Sequence, residues 1–86
     1  MKHASPATLD QLERLLAELR ALPGLKEKGR GVFYRKGRAY LHFHEDPKGQ
    51  FGDLRDAADL DFERFDVTEV TGQALLLAAA ATRLGL

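Results

Sequence analysis

Lys36-Gly37 and Asp46-Pro47-Lys48-Gly49 enclose the eight residues Arg38 to Glu45, and that frame constrains the chain more than any other feature. A lysine-glycine pair suits a two-residue hairpin turn, because glycine tolerates the positive φ that such turns demand. Asp first, Pro second and Gly fourth is the pattern of a type I turn. Between the turns, Leu41 and Phe43 alternate with Tyr40, His42 and His44, the period of a half-buried strand. Val32 to Lys36 leads into the first turn and Gln50 to Arg55 returns from the second, so three consecutive strands should run antiparallel.

A tight turn on each side also predicts a register, and a slip of one residue would carry every side chain to the other face. The first turn pairs Val32 with Leu41, Phe33 with Tyr40 and Tyr34 with Ala39. The second pairs Leu41 with Leu54, Phe43 with Gly52 and Glu45 with Gln50. One face then holds Val32, Tyr34, Ala39, Leu41, Phe43 and Leu54, which is a core. The other holds Phe33, Arg35, Tyr40, His42, His44, Phe51, Asp53 and Arg55, with His42 opposite Asp53, His44 opposite Phe51 and Tyr40 opposite Arg55.

Helices should flank this sheet. Ser5 is a natural N-cap with Pro6 at the first helical position, and Thr8 with Gln11 offers an alternative capping box. Leu9, Leu12, Leu16 and Leu19 follow helical spacing with Leu15 and Leu22 beside them, and Pro23-Gly24 ends the run. Residues 25–31 read as a loop, since Gly29-Arg30-Gly31 lacks the third glycine and the following helix of a nucleotide-binding fingerprint. Asp56 to Asp61 reads as a polar connector and Phe62 to Val67 as a fourth, edge strand. A last helix is expected from about Glu69 to Leu84, capped by Thr68 or Thr71. It is apolar nearly all round, so it should be buried on more than one side. The expectation is one α+β domain over residues 1–86, in the order α-β-β-β-(β)-α, an antiparallel sheet with two helices packed on one face.

Composition narrows the function classes. The absence of cysteine removes disulfides, thiolate metal ligands and thiol nucleophiles, and favours a reducing compartment. Ser5, the one serine, is better used as a helix cap than as a nucleophile. The start at Met1 lacks a signal-peptide pattern, and the longest apolar run, Ala74 to Ala81, is far short of the roughly 20 residues that span a bilayer. A cytoplasmic bacterial protein with no membrane partner is the expectation. The lack of asparagine and tryptophan, beside many Arg and Glu, leans toward a thermophile or a GC-rich genome.

The zero formal charge hides a segregation. Lys26 to Arg38 carries six basic residues and one acid, whereas Glu45 to Asp66 carries eight acids and three basic residues. Neighbouring strands that neutralise each other would account for this, and so would a basic surface for an anionic partner.

Three readings of the Phe33/Arg35/Tyr40/His42/His44/Phe51/Asp53/Arg55 face stay open. It is covered, by the other subunit of a homodimer or by the terminal segments, in a non-enzymatic interaction domain, since aromatic and arginine side chains are common at interfaces. It binds a ligand or nucleic acid, with Phe33 and Tyr40 as stacking platforms and Lys26, Lys28, Arg30, Arg35, Lys36 and Arg38 on phosphates. Or the face is catalytic, either by His/Asp acid–base chemistry or with His42 and His44, beside Asp53, holding a metal such as Zn²⁺, two His and a carboxylate being a known metal set. Pairing of His42 with Asp53 would raise the histidine pKa above roughly 6.5.

The segment Gly31-Val32-Phe33-Tyr34-Arg35-Lys36-Gly37-Arg38, followed by His42-Phe43-His44-Glu45-Asp46, resembles small bacterial proteins that carry the so-called luciferase domain. The helix followed by Leu22-Pro23-Gly24 resembles the opening of MmcQ/YjbR-like proteins, which are described as DNA-binding. The tryptophan-containing segment associated with the first group has no counterpart here. The first resemblance implies that His42, His44 and Asp46 act together.

Overall fold

The computed structural model describes residues 2–86 as an α+β fold in which helices cover one face of an antiparallel sheet. A short strand β1 (Lys2–His3) precedes two helical segments, α1 (Pro6–Gln11) and α2 (Glu13–Arg20), that meet at a kink on Leu12. Strands β2 (Lys26–Gly29), β3 (Val32–Arg35), β4 (Arg38–Asp46), β5 (Gly49–Arg55) and β6 (Phe62–Asp66) follow, and α3 (Val70–Arg83) closes the chain. The six-stranded sheet has the order β2-β3-β4-β5-β6, and β1 pairs with the far end of β4.

Local chemistry accounts for most boundaries. The Ser5 hydroxyl accepts from the Thr8 amide, as an N-cap should. Lys36 and Gly37 both take positive φ, 53° and 81°, the type I′ geometry that matches strand twist and that glycine makes inexpensive. The Asp46 carboxylate receives the Lys48 amide at 2.7 Å and holds the second turn. Helix α3 begins without the expected threonine cap: Glu69 is its N-cap with no side-chain bond, and the Thr68 hydroxyl instead accepts from the Gln50 amide on β5.

Two strands lie outside the sequence reading. Residues 26–29, expected as loop, form β2, which pairs Lys26 with Tyr34 and Glu27 with Phe33. It is an edge strand whose side chains are nearly all polar, so no apolar alternation announces it. Glu27 anchors it, accepting from Arg20 on α2 and from the Gly31 amide.

The larger correction is a bulge. Arg35 pairs with Arg38 and Tyr34 with Ala39 as the turn requires, but Phe33 then pairs with Leu41 instead of Tyr40. Tyr40 is the extra residue of β4, and from there the facing of β3 against β4 changes. Phe33 and Tyr40, expected on the histidine face, are both in the core at 1 % and 3 % exposure. The Tyr40 hydroxyl donates to the Ala80 carbonyl of α3 at 2.9 Å, and Arg35 reaches the Arg83 carbonyl at 3.2 Å, so Arg35 also lies on the helix side. Val32 and Tyr34, expected in the core, are only half-buried.

The β4–β5 register matches expectation from Leu41 onward, with Leu41 against Leu54, His42 against Asp53 and His44 against Phe51, whereas Tyr40, expected opposite Arg55, faces the helices. The core joins Leu9, Leu12, Leu15, Leu16 and Leu19 to Leu41, Phe43 and Leu54, and Leu76 and Ala80 of α3 complete it. Both helical layers thus sit on the Leu41 face. Helix α3 is covered along one stripe, not on several sides, and Leu75 and Val70 are 61 % and 77 % exposed.

The start of α3 packs tightly enough to reverse an ordinary preference. Alanine favours a helix over glycine by about 1 kcal/mol. A Cβ on Gly72, however, would lie 1.9 Å from the Asp66 carbonyl oxygen, a backbone atom with little room to yield. Gly72→Ala should therefore lower the urea midpoint, with a loss of about 1–3 kcal/mol typical of overpacking. A stabilised variant would contradict this contact.

Candidate functional site

The sheet face away from the helices carries His42, His44, Phe51, Asp53 and Arg55, because residues of one strand parity share a side. Three further residues join them. Strand β1 brings His3 opposite His44, and its ring stacks on His44 with centroids 5.0 Å apart. Strand β6 brings Phe62 opposite Arg55 and Arg64 opposite Asp53. The Arg55 guanidinium lies 4.3 Å from the Phe62 ring centre, and that ring meets His42 edge-on at 4.9 Å.

His42 Nδ1 lies 2.8 Å from His44 Nε2, and His44 Nε2 lies 3.4 Å from Asp53 Oδ2. One donor atom from each of the three residues falls within 4.8 Å of the other two. Arg64 donates from Nε and Nη2 to the two Asp53 oxygens, both at 2.7 Å, and fixes the carboxylate against the histidines. Asp46, which the resemblance grouped with the histidines, instead holds the β4–β5 turn.

The electrostatics run against the sequence expectation for His42. Burial pushes its pKa below the ordinary imidazole value, the neighbouring His44 pushes the same way, and the attraction of Asp53 does not offset them. For Asp53, burial acts to raise the pKa, but the hydrogen bonds and charge of Arg64, with the nearby histidines, hold the carboxyl below its usual range. Asp53 is thus an ionised carboxylate held by Arg64, and its upward pull on His42 is outweighed by burial and by His44.

His44 Nδ1 is buried with no hydrogen-bond partner. A proton there would lack an acceptor, so the favoured tautomer carries it on Nε2, shared toward His42 Nδ1 and Asp53. His42 then accepts at Nδ1, and protonating that atom would set two N–H groups against each other.

Of the face residues named from the sequence, the structure keeps His42, His44, Phe51, Asp53 and Arg55 together and separates Phe33, Arg35 and Tyr40. The stacking platforms expected for nucleic acid are therefore core residues. The basic segment is also partly neutralised, though not by neighbouring strands: Arg30 pairs with Asp10 and Glu13 of the helices. His3, Phe62 and Arg64 escaped the sequence reading. Phe62 and Arg64 share a strand parity, a signal that becomes useful only once the β5–β6 register is known.

No family model, curated protein or solved structure matches this chain. No helix among the described residues is long and apolar enough to cross a membrane.

The lowered His42 pKa has a consequence for stability. The unfolded chain takes up a proton near 6.5 while the folded one resists it, so this contribution is full above 6.5 and is lost as pH falls from there through the folded value. Replacing Arg64 with Ala removes a cation that opposes protonation of His42 and frees Asp53 to face the histidines. In metal-free protein, NMR titration should place the native His42 below 6.5 and the Arg64→Ala His42 higher. A His42 that titrates above 6.5 in the native protein would contradict the arrangement.

Proposed function

We propose that this protein is a small binding domain whose open sheet face takes a divalent transition metal such as Zn²⁺, with His42 Nδ1 and His44 Nε2 as ligands and Asp53 as the third donor. The observation that carries this reading is the convergence of one donor atom from each of these three residues within 4.8 Å, on the sheet face away from the helices. Imidazole and carboxylate suit zinc, and two His with one carboxylate leave room for water or a ligand at the metal. Arg64 orients the carboxylate as outer partners of metal sites do.

The same geometry sets the strength of binding. Metal at His44 Nε2 forces its proton onto Nδ1, where no acceptor waits, at a cost of about 1–3 kcal/mol. The site should therefore be weak and readily exchanging, a binding site before it is a structural one. Calorimetry with metal-free protein should show one Zn²⁺ per chain, lost in His42→Ala and His44→Ala and weakened about 10–100-fold in Asp53→Asn. Affinity should fall steeply on acidification, because both imidazoles must be neutral to ligate. Zn²⁺ binding that survives both histidine replacements would overturn the assignment.

The exposed side of α3 favours a second copy of this chain as a partner. From Val70 to Thr82 the helix carries no charged residue, and Leu75 and Val70 stand largely in solvent. An apolar helix face of this kind on a small chain is matched by the same face of a two-fold partner. Sedimentation should give twice the 9.6 kDa chain mass, and Leu75→Glu should return the monomer. A native monomer would exclude this assembly while leaving the metal reading standing.

A further inference from the structure

A cavity of about 190 Å³ opens at the end of the sheet remote from the β4–β5 turn, where the β3–β4 hairpin, the β5–β6 loop and the C-terminal end of α3 meet. Arg35, Lys36, Arg38, Arg55 and Arg83 line it. Two carboxylates share the lining, and neither is free. Asp56 spends its oxygens on its own loop, accepting the Leu60 amide at 3.0 Å. Asp59 is divided between Arg38 and Arg55. Arg83 pairs with Glu63 outside the cavity, and Arg35 and Lys36 have no acidic partner among the described residues.

The guanidinium groups are held in place by backbone carbonyls. Arg35 donates to the Arg83 carbonyl, Arg83 to the Arg55 carbonyl at 3.1 Å, and Arg55 through Nε and Nη2 to the Ala39 carbonyl. Each guanidinium has five N–H donors, and Arg35 commits one of them here. Capping the last carbonyl of α3 explains that one bond of Arg35. It does not explain why Arg38 and Arg55 converge on the same space with a single carboxylate between them.

We infer that this cavity binds a phosphate monoester dianion on a small molecule. Planar, pre-oriented guanidinium groups match phosphate oxygens in pairs, and a dianion would balance the uncompensated charge of Arg35 and Lys36. At roughly 30 Å³ per water the space holds about six waters, enough for a phosphate group with a small substituent. The cavity shares Arg55 with the histidine face, where that guanidinium lies over Phe62, but neither His42 nor His44 lines it.

The test is an NMR titration of the full chain at constant ionic strength with inorganic phosphate, then phenyl phosphate, against chloride. Saturable shifts are expected at the amides of residues 35–39 and 56–60 and at Arg83. The affinity should drop as pH falls through the second phosphate pKa near 6. Arg35→Met should weaken binding about tenfold or more. Because Arg35 also caps α3, Arg38→Gln serves as the second variant: its side chain is 58 % exposed, and its loss should weaken binding without unfolding. Shifts reproduced by chloride, or binding unchanged in both variants, would overturn the inference. A single-stranded oligonucleotide that binds these amides more tightly than phenyl phosphate would overturn the small-molecule assignment.

Discussion

Between Ala39 and Leu41 the pairing of β4 with β3 slips by one residue, and the identity of both sheet faces follows from that slip. Without it, Phe33 and Tyr40 would stand beside the histidines and leave Val32 and Tyr34 to fill the core. With it, Phe33 joins the buried core, and Tyr40 turns its hydroxyl to the Ala80 carbonyl. A buried phenol needs such a partner, since an unpaired one costs about 1–3 kcal/mol. The bulge therefore places one more large aromatic on the helix side than strict alternation allows. It also aims Arg35 at the C-terminal end of α3, where it helps to line the cationic cavity.

On the second face the decisive competition is for Asp53. Arg64 and the histidines both approach its carboxylate, and Arg64 holds it through two bonds of 2.7 Å against a 3.4 Å approach from His44. A guanidinium is always charged, whereas the imidazoles are charged only when protonated, so Arg64 wins at neutral pH. His42 is left neutral, with its Nδ1 against His44 Nε2. Neutral imidazoles are the form that a metal requires, so the pair that keeps His42 unprotonated also keeps it ready to ligate.

The β4–β5 hairpin was legible in the sequence from Leu41 onward because its turn chemistry and its apolar alternation specify the same register independently. The β3–β4 hairpin was legible only as far as Ala39. Counting back from Lys36-Gly37 assumes an unbroken ladder, and nothing in Phe33-Tyr34 or Ala39-Tyr40 marks an extra residue. Strand β2 was hidden because its side chains are polar and an edge strand needs no apolar pattern. His42, His44 and Asp53 followed from the legible hairpin. His3 and Arg64 did not, because each arrives from a strand whose partner is chosen by tertiary packing. The single covered stripe of α3 was equally unreadable: a sequence apolar all round does not say which side meets the sheet.

A chain of 86 residues has helix enough to cover one face of a six-stranded sheet, so the other face has to be stabilised by its own side chains. Most of that face has a purely structural account. Arg55 lies over Phe62, Phe62 meets His42, and Arg64 spans Asp53 and the edge of Phe51. These contacts cover apolar rings with cations and leave few groups unsatisfied. What they do not explain is a second histidine two residues after the first, with one buried nitrogen that has no hydrogen-bond partner and another close to both His42 and Asp53. An apolar side chain at position 44 would pack on Phe51 without that penalty. An imidazole there carries a cost in stability, and the metal binding proposed above has to exceed both that cost and the further one of moving the proton onto Nδ1.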